Sequence, residues 1–367
     1  MSLDLDRILK HELYIQRMAS GGLNNVIYPS LDATLKAVKL ILSEHDVVPN
    51  ITELNKITRA IAKEIESQKG WATLTTSMET LATYEAGFQA SVLGAAFAHK
   101  MNVPEDSSIV RYVTKSIMSL QSGKRVDAGI WSQFVKANIG NQADTINKIV
   151  INAYGKGQPL NSIVKDIQAA FTGTIKSQAE SLARTGFAHY TAQANEAMIK
   201  DNADILKEYY YVTVFDNRTS EICIGIEKFN KIGNRYSVGD KSAPFPPLHF
   251  QCRTRRIATA KDWQPTGDKA SVGSKEGGEE SFDKRKDRRD GKVVKYSGRK
   301  DKSFKAEPIS AKTTRDKWLK KQELWFIQDL LGKKRADLFL NKGYSLGSFS
   351  DMTGRPLTLD EIIKREK

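Results

Sequence analysis

The chain has 367 residues, 40% of them hydrophobic, enough to bury a core and long enough for two or three domains. Lys and Arg number 57 against 43 Asp and Glu, a formal charge of +14 that favours polyanionic partners such as DNA, RNA or anionic membrane surfaces. No stretch approaches the roughly 18 uninterrupted apolar residues of a membrane span, and the two cysteines, Cys223 and Cys252, are too few for a disulfide framework.

The start, MSLDLDRILKHELYIQRM, lacks the apolar core and small-residue cleavage site of a secretory leader, so a soluble chain made in the cytosol is expected. Up to Asp201 only four prolines occur, at 29, 49, 104 and 159, each where a helix can begin or end. In NITELNKITRAIAKEIESQKG, Asn50 is an N-cap with Glu53 in capping-box position. Leu54, Ile57, Ile61 and Ile65 recur at helical spacing, and Gly70 is expected to stop the helix.

Trp71 to Met101, rich in Ala, Leu and Met around a central Glu85, reads as a long packed helix. Helical pattern is expected again over Ser107–Leu120 and Trp131–Tyr154. After the turn GKGQP, Leu160, Ile163, Ile167 and Phe171 share one helix face. The run SQAESLARTGFAHYTAQANEAMIKDNADILKEY accommodates two further helices. The period then changes: Tyr209 to Phe215, YYYVTVF, is aromatic and β-branched, the pattern of a strand ending at Asp216.

From about Pro265 to Lys312 the chain turns to Gly, Ser, Lys, Asp and Glu, the composition of a flexible linker. Within it, Lys284 to Lys305 holds eleven basic and three acidic residues. Lys284, Arg285, Lys286, Arg288, Arg289, Lys292, Lys295, Arg299 and Lys300 can lie along DNA phosphates without sequence readout, or merely keep a linker solvated. Helical pattern returns in TTRDKWLKKQELWFIQDLLGKKRADLFL, with Thr314 as a cap and Trp318, Gln322, Trp325 and Leu330 along one side. A short element, PLTLDEIIKREK, follows a Gly354–Pro356 turn.

Cys223, His249 and Cys252 form the one soft-ligand cluster of the sequence. His249 and Cys252, three apart, suit a single metal, but three ligands do not close a structural zinc site, and a fourth from Asp216 would be unusual. The alternatives are two buried thiols with a hydrogen-bonded histidine pinning a loop, or a thiol activated by imidazole, for which no oxyanion hole is evident. In FDNRTSEIC, Asp216 suits a turn that accepts backbone N–H groups while Arg218 forks onto the returning segment. Arg218 on phosphate with Asp216 on a metal is the catalytic alternative.

Three short runs together resemble the phage Mu F-like head morphogenesis domain: ARTGFAHYTAQANEA at 183–197, D-x-R-T-x-x-x-C at 216–223 and PPLHFQCR at 246–253, within roughly 147–259. By position, Arg184 and Thr185 fit the helix motif, Asp216, Arg218 and Thr219 the strand-end motif, and His249, Cys252 and Arg253 the closing motif. The sequence departs at Gly186, where an acidic residue is usual, and at Ser220 and Thr254, where cysteines occur. Having lost two thiols, the loop is expected to act as a structural clasp, with His249 and Cys252 facing in and Arg253 tied to the strand end.

The resemblance implies a non-enzymatic minor head protein of a phage virion, bound to the portal protein or to the major capsid or scaffolding protein. Such a protein would meet packaged double-stranded DNA and be delivered with the genome. No cofactor is implied, zinc aside. An effector-type nuclease or transferase on this domain, and a general basic nucleic-acid-binding protein, are the alternatives. The expected architecture is mainly α with a small β element (α+β): helices over 1–140, the Mu F-like domain over 141–262, a flexible basic linker over 263–312 and a helical module over 313–367.

Overall fold

A computed structural model describes residues 5–44, 50–122, 125–275, 283–286, 293–296, 304–351 and 354–365. The chain begins with α1 (Leu5–Gly22), which passes through a π turn at Leu23–Ile27 into α2 (Tyr28–Ser43). Next come α3 (Ile51–Glu66) and α4 (Gly70–Phe97). Asn50 caps α3, its Oδ1 accepting from the Glu53 amide at 3.0 Å, and Leu54, Ile57, Ile61 and Ile65 are buried as their spacing requires.

Gly70 does not stop α3, which ends at Glu66, but opens α4. A Cβ at Gly70 would lie 2.8 Å from that of Ser30, so this glycine admits a close approach of α2 rather than a left-handed turn. The left-handed stop belongs instead to Ala98, at φ 51° beyond the end of α4.

α5 (Asp106–Lys115) is shorter than the expected helix over 107–120. Ser116 Oγ bonds back to the Tyr112 carbonyl, and the chain turns extended into a hairpin, β1 (Met118–Ser122) with β2 (Arg125–Gly129). Met118 and Leu120 alternate inward, a two-residue signal that a helix pattern also accommodates. α6 (Trp131–Gly155) and α7 (Leu160–Ala170) follow. A second π turn, Phe171–Ile175, then leads into α8 (Lys176–Lys200).

Where two helices were expected, α8 is one continuous helix of 25 residues and the central rod of the molecule. Between Thr185 and Ile199 nearly every side chain is buried, because α1, α4, α5, α6 and β4 (Arg255–Thr259) all pack on it. A helix buried all round carries no amphipathic period, which is why the sequence pattern does not mark its length.

β3 (Glu208–Val212) pairs antiparallel with β4, Glu208 opposite Thr259 and Val212 opposite Arg255. One apolar core runs from Ile8 through α8 to Ala258, Trp263 and Ala311, so the helices before residue 140 and the segment after it are not separate bodies. The expected boundary at 140 falls inside α6. Glu85, mid-α4, is buried and meets His11 of α1 at 2.6 Å, while Arg255 of β4 pairs with Glu12.

Between β3 and β4 lie the short α9 (Glu221–Gly225) and a 3-10 turn. The stretch expected as linker over 263–312 begins and ends in paired strands, β5 (Asp268–Ser274) with β8 (Phe304–Ser310). Nested inside them, β6 (Asp283–Lys286) pairs with β7 (Val293–Tyr296). The inward positions of β5 are Lys269, Ser271 and Gly273, polar or small, so hydrophobic alternation does not reveal the strand. Lys284, Arg285 and Lys286 stand in β6, and Lys295 faces Lys284 across the ladder; Arg288, Arg289, Lys292, Arg299 and Lys300 lie outside the described residues.

The helical tail divides into α10 (Arg315–Leu319), capped by Thr314, α11 (Leu324–Leu331), α12 (Lys333–Asn341) and α13 (Leu359–Lys364). Their core, with Trp318, Phe326 and Phe339, takes in Phe215 and Ile224 from the segment after β3. Arg315 seals the junction, donating to Glu227 at 2.8 Å and to the Val214 carbonyl at 2.8 Å. No helix among the described residues is long and apolar enough to cross a membrane.

Candidate functional site

The loop from Pro246 to Arg253 is held from four directions. Its Pro246–Pro247 peptide is cis. The Gln121 amide of β1 donates to the Leu248 carbonyl at 2.8 Å. From α8, Thr185 Oγ1 accepts the Gln251 amide at 2.9 Å, and Gln251 itself takes a left-handed backbone, φ 59°. Thr185 is fully buried, so this bond to a backbone N–H is made in a dry setting where an unmet donor would be costly.

The third tie is the strand end. Arg253 forks onto Asp216, Nη1 to Oδ2 at 2.7 Å and Nη2 to Oδ1 at 2.9 Å, the bidentate geometry that suits a guanidinium. Asp216 Oδ1 also accepts from the Arg218 amide at 3.0 Å and from Thr219 Oγ1 at 2.9 Å. Burial alone would raise the Asp216 carboxyl, but Arg253, Thr219 and the Arg218 amide together hold it below the usual carboxylate range.

The forking arginine is thus Arg253 and not Arg218, whose side chain is exposed and whose part in the turn is its backbone N–H. With Asp216 committed to these partners, its carboxylate is not turned toward the cysteines. Arg184 stands apart from the loop: it pairs within α8 with Glu180 at 3.0 Å. Gly186 is explained by packing, since a Cβ there would lie 2.6 Å from the Trp131 ring.

The fourth tie is the donor cluster. Cys223 in α9, His249 and Cys252 bring their ligand atoms within 4.8 Å of one another. The two sulfurs are 3.6 Å apart, and His249 Nε2 is 3.2 Å from Cys223 Sγ. Both cysteines are free thiols and both are buried. His249 Nδ1 lies 2.7 Å from the Phe250 carbonyl, which can only accept, so Nδ1 carries the proton. Nε2 then presents its lone pair to Cys223 and to Ser220 Oγ, 2.7 Å away.

Ionisation within the cluster is uneven. Donating to Cys252, together with burial, pushes the Cys223 thiol up. Contact with Cys223, with His249 beside it, pulls Cys252 down despite its burial. Burial also works against charge on His249, yet the Cys252 sulfur and the Phe250 carbonyl raise it overall.

Tetrahedral zinc, with Zn–S near 2.3 Å and Zn–N near 2.0 Å, separates two sulfurs by about 3.8 Å and a sulfur from a nitrogen by about 3.6 Å. The Cys223–Cys252 and Cys223–His249 separations fall within a few tenths of an ångström of these values, and the third pair lies within 4.8 Å, so the three residues fit such an ion. Ser220 was not foreseen as part of this group. As the N-cap of α9 its Oγ faces both the Cys223 amide and His249, and the S-E-I-C spacing is the signal that places it there. Thr254 is buried as well.

Residues 144–257 match the family described as Phage Mu protein F like protein, a span that runs from α6 through α8 and β3 to the end of the clasp and into β4. No curated protein and no solved structure matches the chain.

Proposed function

We propose, from the match of residues 144–257 to the phage Mu protein F-like family, that this chain is a minor, non-enzymatic component of a phage virion head. It binds the portal protein or the inner face of the capsid or scaffold during head assembly, and stays with the DNA-filled head. The family match carries this reading. Two features of the molecule support it.

The first is that the matched segment is the hub of the fold: α8 forms the middle of the main core, and Phe215 and Ile224 anchor the C-terminal module. Its polar residues are spent on holding the clasp, with both thiols buried and Asp216 saturated, which suits a scaffold for contacts better than a site open to substrate. The second is the surface. α1 exposes Leu13, Tyr14 and Met18 beside Tyr84 of α4, an apolar face suited to a protein partner, and the chain's net charge of +14 suits DNA phosphates.

The test is co-purification of this chain with the portal protein of the same phage, followed by electron microscopy of the product. A stoichiometric complex decorating the portal is expected; two folded proteins that stay apart across a range of salt would contradict portal binding. DNA contact has its own signature. Affinity for duplex DNA should fall steeply with salt and be indifferent to sequence, with a logarithmic slope of about 0.9 per phosphate neutralised.

A further inference from the structure

The geometry points to a mononuclear zinc site in this chain, with Cys223 Sγ, Cys252 Sγ and His249 Nε2 as protein ligands and a water held by Ser220 Oγ in the fourth corner. The inference is independent of the head-assembly reading, because it rests on four side chains and their separations.

Three observations carry it. The sulfurs, 3.6 Å apart, are too far for a disulfide bond and spaced as two ligands of one ion are. The imidazole is aimed: the Phe250 carbonyl fixes the proton on Nδ1, the outer hydrogen bond that metal-binding histidines commonly make, and leaves Nε2 bare toward Cys223. The ligands also come from rigid places. Cys223 sits in the first turn of α9, capped by Ser220, and the His249–Cys252 turn is closed by its own backbone bond at 3.2 Å and locked to α8 through Gln251.

Binding is a proton-for-metal exchange. Cys223 and Cys252 give up their S–H protons to solvent and coordinate as thiolates, so the two negative charges offset the ion, and neutral His249 donates its Nε2 lone pair. Ser220 Oγ, 2.7 Å from Nε2 before binding, stays beside the vacated position as hydrogen-bond partner of the fourth ligand. The ion would then tie α9 to the loop with bonds in place of weak thiol hydrogen bonds.

The experiment uses the full chain, purified under reducing conditions without chelator from zinc-supplemented cells. Elemental analysis should give about one zinc per chain, and chelator should lower the thermal midpoint of unfolding. Replacing zinc by cobalt should produce thiolate-to-cobalt charge transfer and the strong red d–d bands of a tetrahedral ion. Cys252→Ser and His249→Ala should each abolish this spectrum. Ser220→Cys, which supplies a third thiolate at the fourth corner, should bind zinc at least about tenfold more tightly in competition with a chromophoric chelator.

Zinc-free protein that also gives no cobalt spectrum overturns the site, whatever the variants do. So does a Cys252→Ser or His249→Ala chain that keeps its metal. Metal bound by Ser220→Cys but not by the native chain would show that three ligands and a water do not suffice here. A Cys223–Cys252 disulfide in freshly purified protein would exclude the site as well.

Discussion

The helical layer of α1–α8 is held by apolar faces that recur along the sequence, whereas the loop 246–253 is held by polar groups drawn from β1, α8, the segment after β3 and α9. The first kind of order is redundant, since many side chains share the burial. The second is sparse, since each tie has one donor and one acceptor. Removing an element from each should therefore fail in different ways.

The largest effect belongs to the layer. Phe187 of α8 is fully buried, and Phe187→Ala should cost about 3–5 kcal/mol of unfolding free energy by urea denaturation. A loss below about 1 kcal/mol would mean that α8 is not the shared centre of the core.

Acid attacks the same helix. His189 is wholly buried, and burial, only partly offset by the Ser116 backbone, holds it down to about 4. The unfolded chain binds this proton from about pH 6.5 downward and the folded chain only near 4, so stability falls as pH drops through that window and levels off below it. The loss amounts to about 3 kcal/mol by pH 4. His189→Gln should flatten this part of the profile; an unchanged slope would assign it to other groups.

Arg253→Ala tests the clasp. It leaves the Asp216 carboxylate buried with only Thr219 and a backbone amide, and should cost about 2 kcal/mol. Asp216→Asn placed in the same chain should recover part of that loss. Because Asp216 is held below its usual value, the pair's contribution is complete above about pH 4 and disappears as the carboxyl protonates at lower pH. Both variants should leave the midpoint of the helical layer cooperative, in contrast to Phe187→Ala. The smallest effect is at the periphery: Asn50→Ala removes the cap of α3 and should cost about 1 kcal/mol.

The same contrast decides what the sequence discloses. Leu54, Ile57, Ile61 and Ile65 announce α3 because one face is buried and the other is not. α8 hides its length because burial surrounds it, and β5 hides because Lys269, Ser271 and Gly273 fill its inner face. The hairpin β1–β2 buries only two alternating apolar residues, Met118 and Leu120, and its link to the clasp through Gln121 is a backbone bond that no side-chain pattern encodes.

In the candidate site, residue types were legible and partnerships only partly so. Cys223, His249 and Cys252 stand out by rarity, and the charges of Asp216 and Arg253 demand each other once both are buried. Arg218 is nearer in sequence and equally charged, yet a residue two positions on cannot fork back onto Asp216 while its own amide closes the turn. Ser220 is an ordinary N-cap until the fold sets His249 above it.

Purified DNA-filled heads, analysed by quantitative mass spectrometry, test the central claim most directly. The chain should be present at a few copies per head, far below the major capsid protein, and should persist through washing at high salt. A chain found in the infected-cell lysate but missing from purified heads would contradict a role as a head component.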